Sequence, residues 1–187
     1  DWKRSWQAST ESWAQSNGTS PHLSSENNPR DLALHLILSM NSSRLPIWTI
    51  AERLTEAIRD GSRRIVLCAP TGSGKSTQVP HMLADRVGVA GQVVMLEPRR
   101  IAARMLAKRV AQERRSQLGR EVGYQIRFDD CSCAATRIKF VTEAILFRRL
   151  ISNPRLDGID AVVFDEFHER HHYTDITLAP ILALQAA

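Results

Sequence analysis

Residues 64–77 read RIVLCAPTGSGKST, and their reading decides the fold. A short apolar run, Ile65–Ala69, leads into Pro70-Thr71-Gly72-Ser73-Gly74 and then Lys75-Ser76-Thr77. This is the phosphate-cradling order of strand, small-residue loop and helix, with Ala69 in place of the first glycine. The loop must turn its backbone N–H groups onto phosphate oxygens, so its side chains are kept small. Gly72 and Gly74 permit backbone angles and a close approach that a Cβ would block. Lys75 can reach the β- and γ-phosphates, and the Ser76 hydroxyl can ligate Mg²⁺. A helix beginning near Gly74 aims its positive dipole end at the same anion. A Gly/Ser-rich turn that merely contains a lysine would share these letters. The strand-like residues before the loop and the helix-compatible residues after it favour a nucleotide site. The loop alone does not separate a kinase, a GTPase, a transporter ATPase or a helicase.

Outward from this loop, 187 residues suit one domain with a tail, and 43% hydrophobic residues suffice for an ordinary core. The net charge of +5 suggests a polyanionic partner, though mildly basic domains are common. Residues 1–45 carry four basic and four acidic residues, so the whole excess lies after Arg44. Cys68, in the expected buried strand, reads as a small core residue. Cys131-Ser132-Cys133 is too tightly spaced, and has no second pair, for a zinc site. An odd, sparse set of thiols fits a reducing cytoplasm. No apolar run is long enough to span a bilayer, so no membrane partner is expected. The Trp/Ser-rich start lacks the apolar centre of a signal peptide.

Residues 1–44 read as a polar tail, disordered or partly helical, broken by Gly18, Pro21 and Pro29. Trp2, Trp6 and Trp13 could share a helical face, and Leu32–Leu38 could make a turn or two of helix. From Leu45 to residue 187 the chain reads as a second unit. Ile47, Ile50, Ala51, Leu54, Ala57 and Ile58 recur at helical spacing, with Pro46 at the start and Gly61 at the end. A helix is expected over Lys75–Val87 and a buried strand over Gln92–Glu97. A long helix is expected over Arg99–Arg115, with Ile101, Ala102, Met105, Leu106 and Val110 on one side. A short strand falls within Gly119–Phe128, a surface turn over Asp129–Ala135 and a third strand over Arg137–Val141. Thr142 can cap a helix reaching Leu150, a buried strand covers Ala161–Phe164, and a last helix covers Asp175–Gln185. Strands alternating with helices imply an α/β layered fold with a mostly parallel sheet.

The strand Ala161–Phe164 delivers Asp165-Glu166 to its C-terminal end, where open α/β sheets bind ligands. Asp165 can hold Mg²⁺ through water, and Glu166 is then placed to orient or deprotonate the water that attacks the γ-phosphate. A strand ending in surface acids is the plainer alternative, and the presence of Lys75-Ser76 argues against it. His168-Glu169-Arg170-His171-His172 also fits the zinc motif H-E-x-x-H, but that motif needs both histidines on one helix, and none leads into His168. No zinc is expected. Arg99 and Arg100 follow a strand at a helix N-terminus and could hold a sugar-phosphate backbone. Lys108, Arg109, Arg114 and Arg115 read as a solvated helix face. With no aromatic residues interleaved, sequence-independent backbone contact is expected.

APTGSGKST, EPRR at Glu97–Arg100, VGYQIRF at Val122–Phe128, TRIKFVTE at Thr136–Glu143 and DEFHER at Asp165–Arg170 together resemble the first RecA-like domain of a DEAH-box helicase. EPRRIAAR, VTEAIL and DEFHER look most like the bacterial HrpB-type ATP-dependent helicases. The resemblance runs from about Leu45 to the end of the chain and implies a P-loop NTPase fold with ATP and Mg²⁺ as cofactors. It implies that Ala69, Pro70, Thr71, Gly72, Ser73, Gly74, Lys75, Ser76 and Thr77 bind the triphosphate, and that Ser76 and Asp165 serve the metal. Lys75, Asp165, Glu166 and His168 would be catalytic, His168 by linking the nucleotide to the nucleic-acid side and a second domain. Pro98, Arg99, Arg100, Arg127, Thr142 and Glu143 would contact single-stranded RNA or DNA.

The chain lacks the Ser-Ala-Thr motif that follows DEFHER in such helicases, and the second RecA-like domain. It therefore reads as a truncated domain, a cytoplasmic helicase subdomain or else a non-catalytic nucleotide- or nucleic-acid-binding fragment. In the family's sheet, the strand before Ser-Ala-Thr lies between the phosphate-loop strand and the DEFH strand, so two strand edges are expected to be unpaired. Family members begin near Leu45-Pro46-Ile47, which makes Met40 the expected natural start.

Overall fold

A computed structural model describes residues 45–169 and 172–185. The readings of residues 1–44, the three tail tryptophans and the start at Met40 fall outside them. Leu45 leads into a 3₁₀ turn, Pro46–Ile50, and then helix α1, Ala51–Arg59. Helix α2 spans Lys75–His81 and continues as a π-helical turn, Met82–Val87. Pro80 has no N–H to give the carbonyl four residues back, and the helix widens two residues after it. Strand β1 is Gln92–Leu96 and helix α3 is Arg100–Glu113. Strands β2, Val122–Ile126, and β3, Asp129–Cys131, form a hairpin, followed by β4, Ile138–Val141. Helix α4, Glu143–Ser152, strand β5, Ile159–Phe164, a 3₁₀ turn, Phe167–Glu169, and helix α5, His172–Leu184, complete the order.

The five strands lie in the order β3-β2-β4-β1-β5, with only β3 antiparallel to its neighbour. Alternate residues of β1 feed two cores, as the two-residue strand period requires. Val93 and Met95 join Ile138, Phe140, Val122 and Ile126 beneath α1, α2 and α3. Val94 and Leu96 join Val141 and Phe164 against α4 and α5 through Leu146, Leu150 and Ile181. The result is the three-layer α/β fold expected from the sequence.

One expected strand is absent. Residues 62–70 form no strand, Val66 is 91% exposed, and Cys68 is exposed rather than in the core. An apolar run becomes a strand only when a neighbour pairs its backbone. The sheet ends at β5, and no described strand fills the place beside it. The unpaired edge expected on the DEFH strand is thus seen at β5, whereas the second expected edge does not arise, because residues 62–70 form no strand. Two side chains bridge this region: Arg64 donates from Nε to Gln185 Oε1 at 3.1 Å, and Gln185 Nε2 donates to the Arg63 carbonyl at 3.0 Å.

Smaller differences have local causes. Helix α3 packs through Ala103, Ala107, Val110 and Ala111, whose small side chains let it lie close to the sheet, while Ile101 and Met105 point to solvent. Part of the expected turn at Asp129–Ala135 is β3, paired with β2. Helix α5 begins at His172, three residues earlier than expected. Arg114 is no part of a solvated face: it donates two bonds to Asp85, at 2.8 and 2.9 Å, and a third to Glu121. These contacts hold its charge firmly and raise its pKa. No described helix is long and apolar enough to cross a membrane.

Candidate nucleotide and nucleic-acid site

Parallel pairing builds the site. Leu96 lies beside Val141 on one side and Phe164 on the other, so the segments after β1, β4 and β5 emerge together at one sheet end. Glu97 N–H donates to the Val141 carbonyl at 2.9 Å, and Asp165 N–H donates to the Leu96 carbonyl at 3.1 Å. The blocks Glu97–Arg100, Thr142–Glu143 and Asp165–His168 are therefore brought to one edge of the domain.

Glu97 is the residue that sequence reading missed. It is 4% exposed, and burial pushes its carboxyl up to about 8, with Asp165 and Glu166 adding to the effect. A buried carboxyl beside two others keeps its proton at neutral pH. The available signal was an acid placed directly after the apolar run Val93–Leu96. Asp165 Oδ1 accepts from the Glu166 N–H at 2.9 Å, whereas its Oδ2 is buried without a hydrogen-bond partner. The proton kept by Glu97 can serve the Asp165 carboxylate in the metal-free protein, and the same carboxylate oxygens suit a hard cation. Among the described residues no three His, Cys, Asp or Glu side chains form a metal cage, so Mg²⁺ here would need oxygens from phosphate or water as well. Glu166 adopts a left-handed backbone, φ 46°, and its Oε2 lies 3.3 Å from His168 Nε2. His168 belongs to a 3₁₀ turn and His172 opens α5, so the H-E-x-x-H histidines sit on different elements.

The phosphate loop keeps its expected shape at the helix end. Gly74 is the N-cap of α2 in a left-handed conformation, φ 96°, and Gly72 is also left-handed, φ 77°. The loop docks on the 3₁₀ turn, since Ile47 N–H donates to the Ser73 carbonyl at 3.2 Å. Lys75 Nζ donates to the carbonyls of Ala69, 2.6 Å, and Pro70, 3.0 Å. The cation thus satisfies the loop's own acceptors. Thr77 Oγ1 donates back to the Gly74 carbonyl at 3.3 Å. Among the described residues no hydrogen bond or ion pair joins Lys75 or Ser76 to Asp165 or Glu166. The structure places the two halves of the expected nucleotide site on one domain without linking them.

The expected nucleic-acid residues are better connected. Arg99 pairs with Glu169 at 2.6 Å, tying the segment after β1 to the one after β5. Arg100 donates to the Arg127 carbonyl at 3.1 Å, and Arg104 pairs with Asp129, which also accepts from Tyr124 Oη at 3.1 Å. These bonds clamp the β2–β3 hairpin to α3. Pro98 lies half-buried between Glu97 and the exposed Arg99. Thr142 takes the N-cap position of α4 but makes no side-chain capping bond, contrary to expectation; its buried side chain leaves its carbonyl to receive the Ile145 and Leu146 N–H groups. Glu143 accepts a hydrogen bond from Thr174 Oγ1, joining α4 to α5.

Residues 48–178 match the model of the DEAD/DEAH box helicase family. The chain is 41% identical over 143 residues to the ATP-dependent RNA helicase HrpB of Escherichia coli strain K12, covering 76% of this chain and 18% of that protein. It is likewise 41% identical over 153 residues to the probable ATP-dependent RNA helicase DHX35 of Homo sapiens, covering 80% and 22%. Crystal structures of E. coli HrpB match with TM-scores of 0.73 and 0.74 at 40% identity, over 76% and 79% of this chain and 18% of theirs. The chain spans about a fifth of the length of these relatives.

Proposed function

Since the chain belongs to the DEAD/DEAH box helicase family, we propose that residues 45–185 are the ATP-binding part of a nucleic-acid motor that couples ATP hydrolysis to movement along a strand, RNA by analogy with the RNA helicases it resembles. The observation that carries the reading is the joint emergence of Glu97–Arg100, Thr142–Glu143 and Asp165–His168 at one sheet end. Phosphate contacts and a carboxylate pair for hydrolysis are then neighbours, as coupling requires.

Each residue's part follows from its surroundings. Lys75 already faces the loop and would exchange the carbonyls of Ala69 and Pro70 for β- and γ-phosphate oxygens. The backbone N–H groups of residues 71–77 would cradle the triphosphate at the start of α2. Bound Mg²⁺, held by the Ser76 hydroxyl and the Asp165 carboxylate, would supply charge neutralisation to the phosphates. Glu166 would accept the proton of the attacking water, while the His168 ring at 3.3 Å steadies its carboxylate. Arg99, Arg100 and Arg127 would hold phosphates of single-stranded RNA or DNA, with Pro98, Thr142 and Glu143 against the same strand.

A second reading is binding without turnover. Residues 62–70 pair with no strand and Lys75 rests on its own loop, which favours it for this chain taken alone. One experiment tests both: titrate the chain with a fluorescent ATP analogue and Mg²⁺, then follow phosphate release with and without single-stranded RNA. Saturable binding that Lys75→Ala abolishes and Glu166→Gln spares is expected. RNA-stimulated release lost in Glu166→Gln supports the motor, and binding with no release supports the second reading. Equal nucleotide binding by wild type and Lys75→Ala would defeat both.

A further inference from the structure

The most exposed aromatic side chain described in this protein is Phe128, 89% exposed at the tip of the β2–β3 hairpin. Ile126 pairs with Asp129, so Arg127 and Phe128 are the two turn residues. Phe128 has φ 66°, and at that turn position a positive φ is ordinarily left to glycine or asparagine. A bulky residue that is both strained and solvent-facing contributes nothing to folding that a glycine would not improve. Such strain marks a side chain retained for contact outside the fold.

Its surroundings identify the contact. The Arg127 guanidinium lies over the Phe128 ring, 4.7 Å from its centroid. The Arg127 carbonyl is held by Arg100, and Asp129, on the other side of Phe128, by Arg104 and Tyr124. The ring is thus presented on a tip fixed to the helix whose first turn carries Arg100, directly after Arg99. An aromatic face backed by Arg127, on a tip held by Arg100, is a combination that binds single-stranded nucleic acid, with cations on phosphates and the ring under a base. Exposed Ile101 and Met105 on the same helix would suit an apolar protein partner, but the arginines on and around the tip favour the polyanion.

We infer that Phe128, backed by Arg127, is a base-stacking platform for single-stranded nucleic acid. The inference rests on the nucleic-acid reading above and adds to it a contact to bases rather than to phosphates. It gives the hairpin preference for unpaired strands without base identity, because every base has a stacking face.

The test uses fluorescence anisotropy of the full chain with a 12-nucleotide oligoadenylate and with an abasic ribose-phosphate oligomer of equal length, over a range of salt concentrations. The wild type is expected to bind the adenylate roughly 5- to 100-fold more tightly than the abasic oligomer. Phe128→Ala should erase that preference without altering the salt slope, and Phe128→Trp should restore it. Arg100→Ala should weaken both oligomers alike and flatten the slope. Phe128→Gly should melt no lower than the wild type while losing the preference, which a purely structural ring would not do. If the wild type binds both oligomers equally, or Phe128→Ala keeps the preference, the platform is wrong while backbone binding stands. If neither oligomer binds, the platform and the nucleic-acid reading fall together.

Discussion

Replacing Gly74 by alanine separates the two reasons for a glycine in the phosphate loop. At Gly74 φ is 96°, and an added Cβ would lie 2.8 Å from Leu45 Cδ1, 3.2 Å from Gln78 Cγ and 3.3 Å from Ile47 Cγ2. At Gly72 φ is 77°, and nothing lies within 4 Å of the same atom. Left-handed backbone alone costs an alanine about 1–2 kcal/mol, so Gly72→Ala should lose that much. Gly74→Ala bears the same term plus overpacking of about 1–3 kcal/mol, for a total near 2–5 kcal/mol. Urea unfolding without nucleotide, followed by circular dichroism, measures both differences from midpoints at a common slope. The nearest clash is with the mobile end of Leu45, so adding Leu45→Ala to Gly74→Ala should recover part of the loss, as a coupling energy in a double-mutant cycle. The reasoning fails if Gly74→Ala unfolds at the same urea concentration as Gly72→Ala. It fails also if Leu45→Ala and Gly74→Ala are strictly additive.

Other outcomes are equally open to measurement. Burial, and then Arg114, lower the pKa of His81 below its ordinary 6.5. The native state therefore binds fewer protons than the unfolded chain below that pH, and stability present above pH 6.5 should decline as the pH falls toward 5. Replacing His81 by glutamine should flatten this decline in denaturant midpoints taken at several pH values. The Arg114 side chain is only 12% exposed, but Asp85 and Glu121 keep contact with water, so Arg114→Ala should cost about 1–3 kcal/mol. Lysine at that position should rescue little, lacking the two-pronged geometry that meets Asp85. Cys68 should react with an aromatic disulfide reagent in the native chain at a rate near that of a free thiol, and protection comparable to a core cysteine would contradict its exposed position.

How far the sequence revealed this molecule differs from one residue to the next, for physical reasons. β1, β4 and β5 were legible because each is a mostly apolar run ended by a charged or polar residue at the point where it leaves the sheet. The glycines, Lys75 and the Asp165-Glu166 pair were legible because their chemistry permits few substitutes. Ile65–Ala69 misled as a strand because strand formation depends on a neighbouring backbone, which a local window does not contain. In α3 the large residues Ile101 and Met105 suggested the buried side, but close packing selected the alanines. Arg114 passed for surface charge because Asp85 and Glu121 lie on other elements. Phe128 was hidden within an otherwise ordinary hairpin, since neither its exposure nor its backbone angle is written in residue type.

The ion pair between Arg99 and Glu169 makes two segments rivals for a single positive charge. A phosphate that takes Nη2 of Arg99 displaces the Glu169 carboxylate, so some of its binding energy is spent reorganising the segment beyond Asp165-Glu166. The converse holds with equal magnitude: any rearrangement that draws Glu169 away leaves Arg99 uncompensated and strengthens its hold on an anion. Occupancy at one end of this pair is thereby reported at the other without a change in the sheet between them.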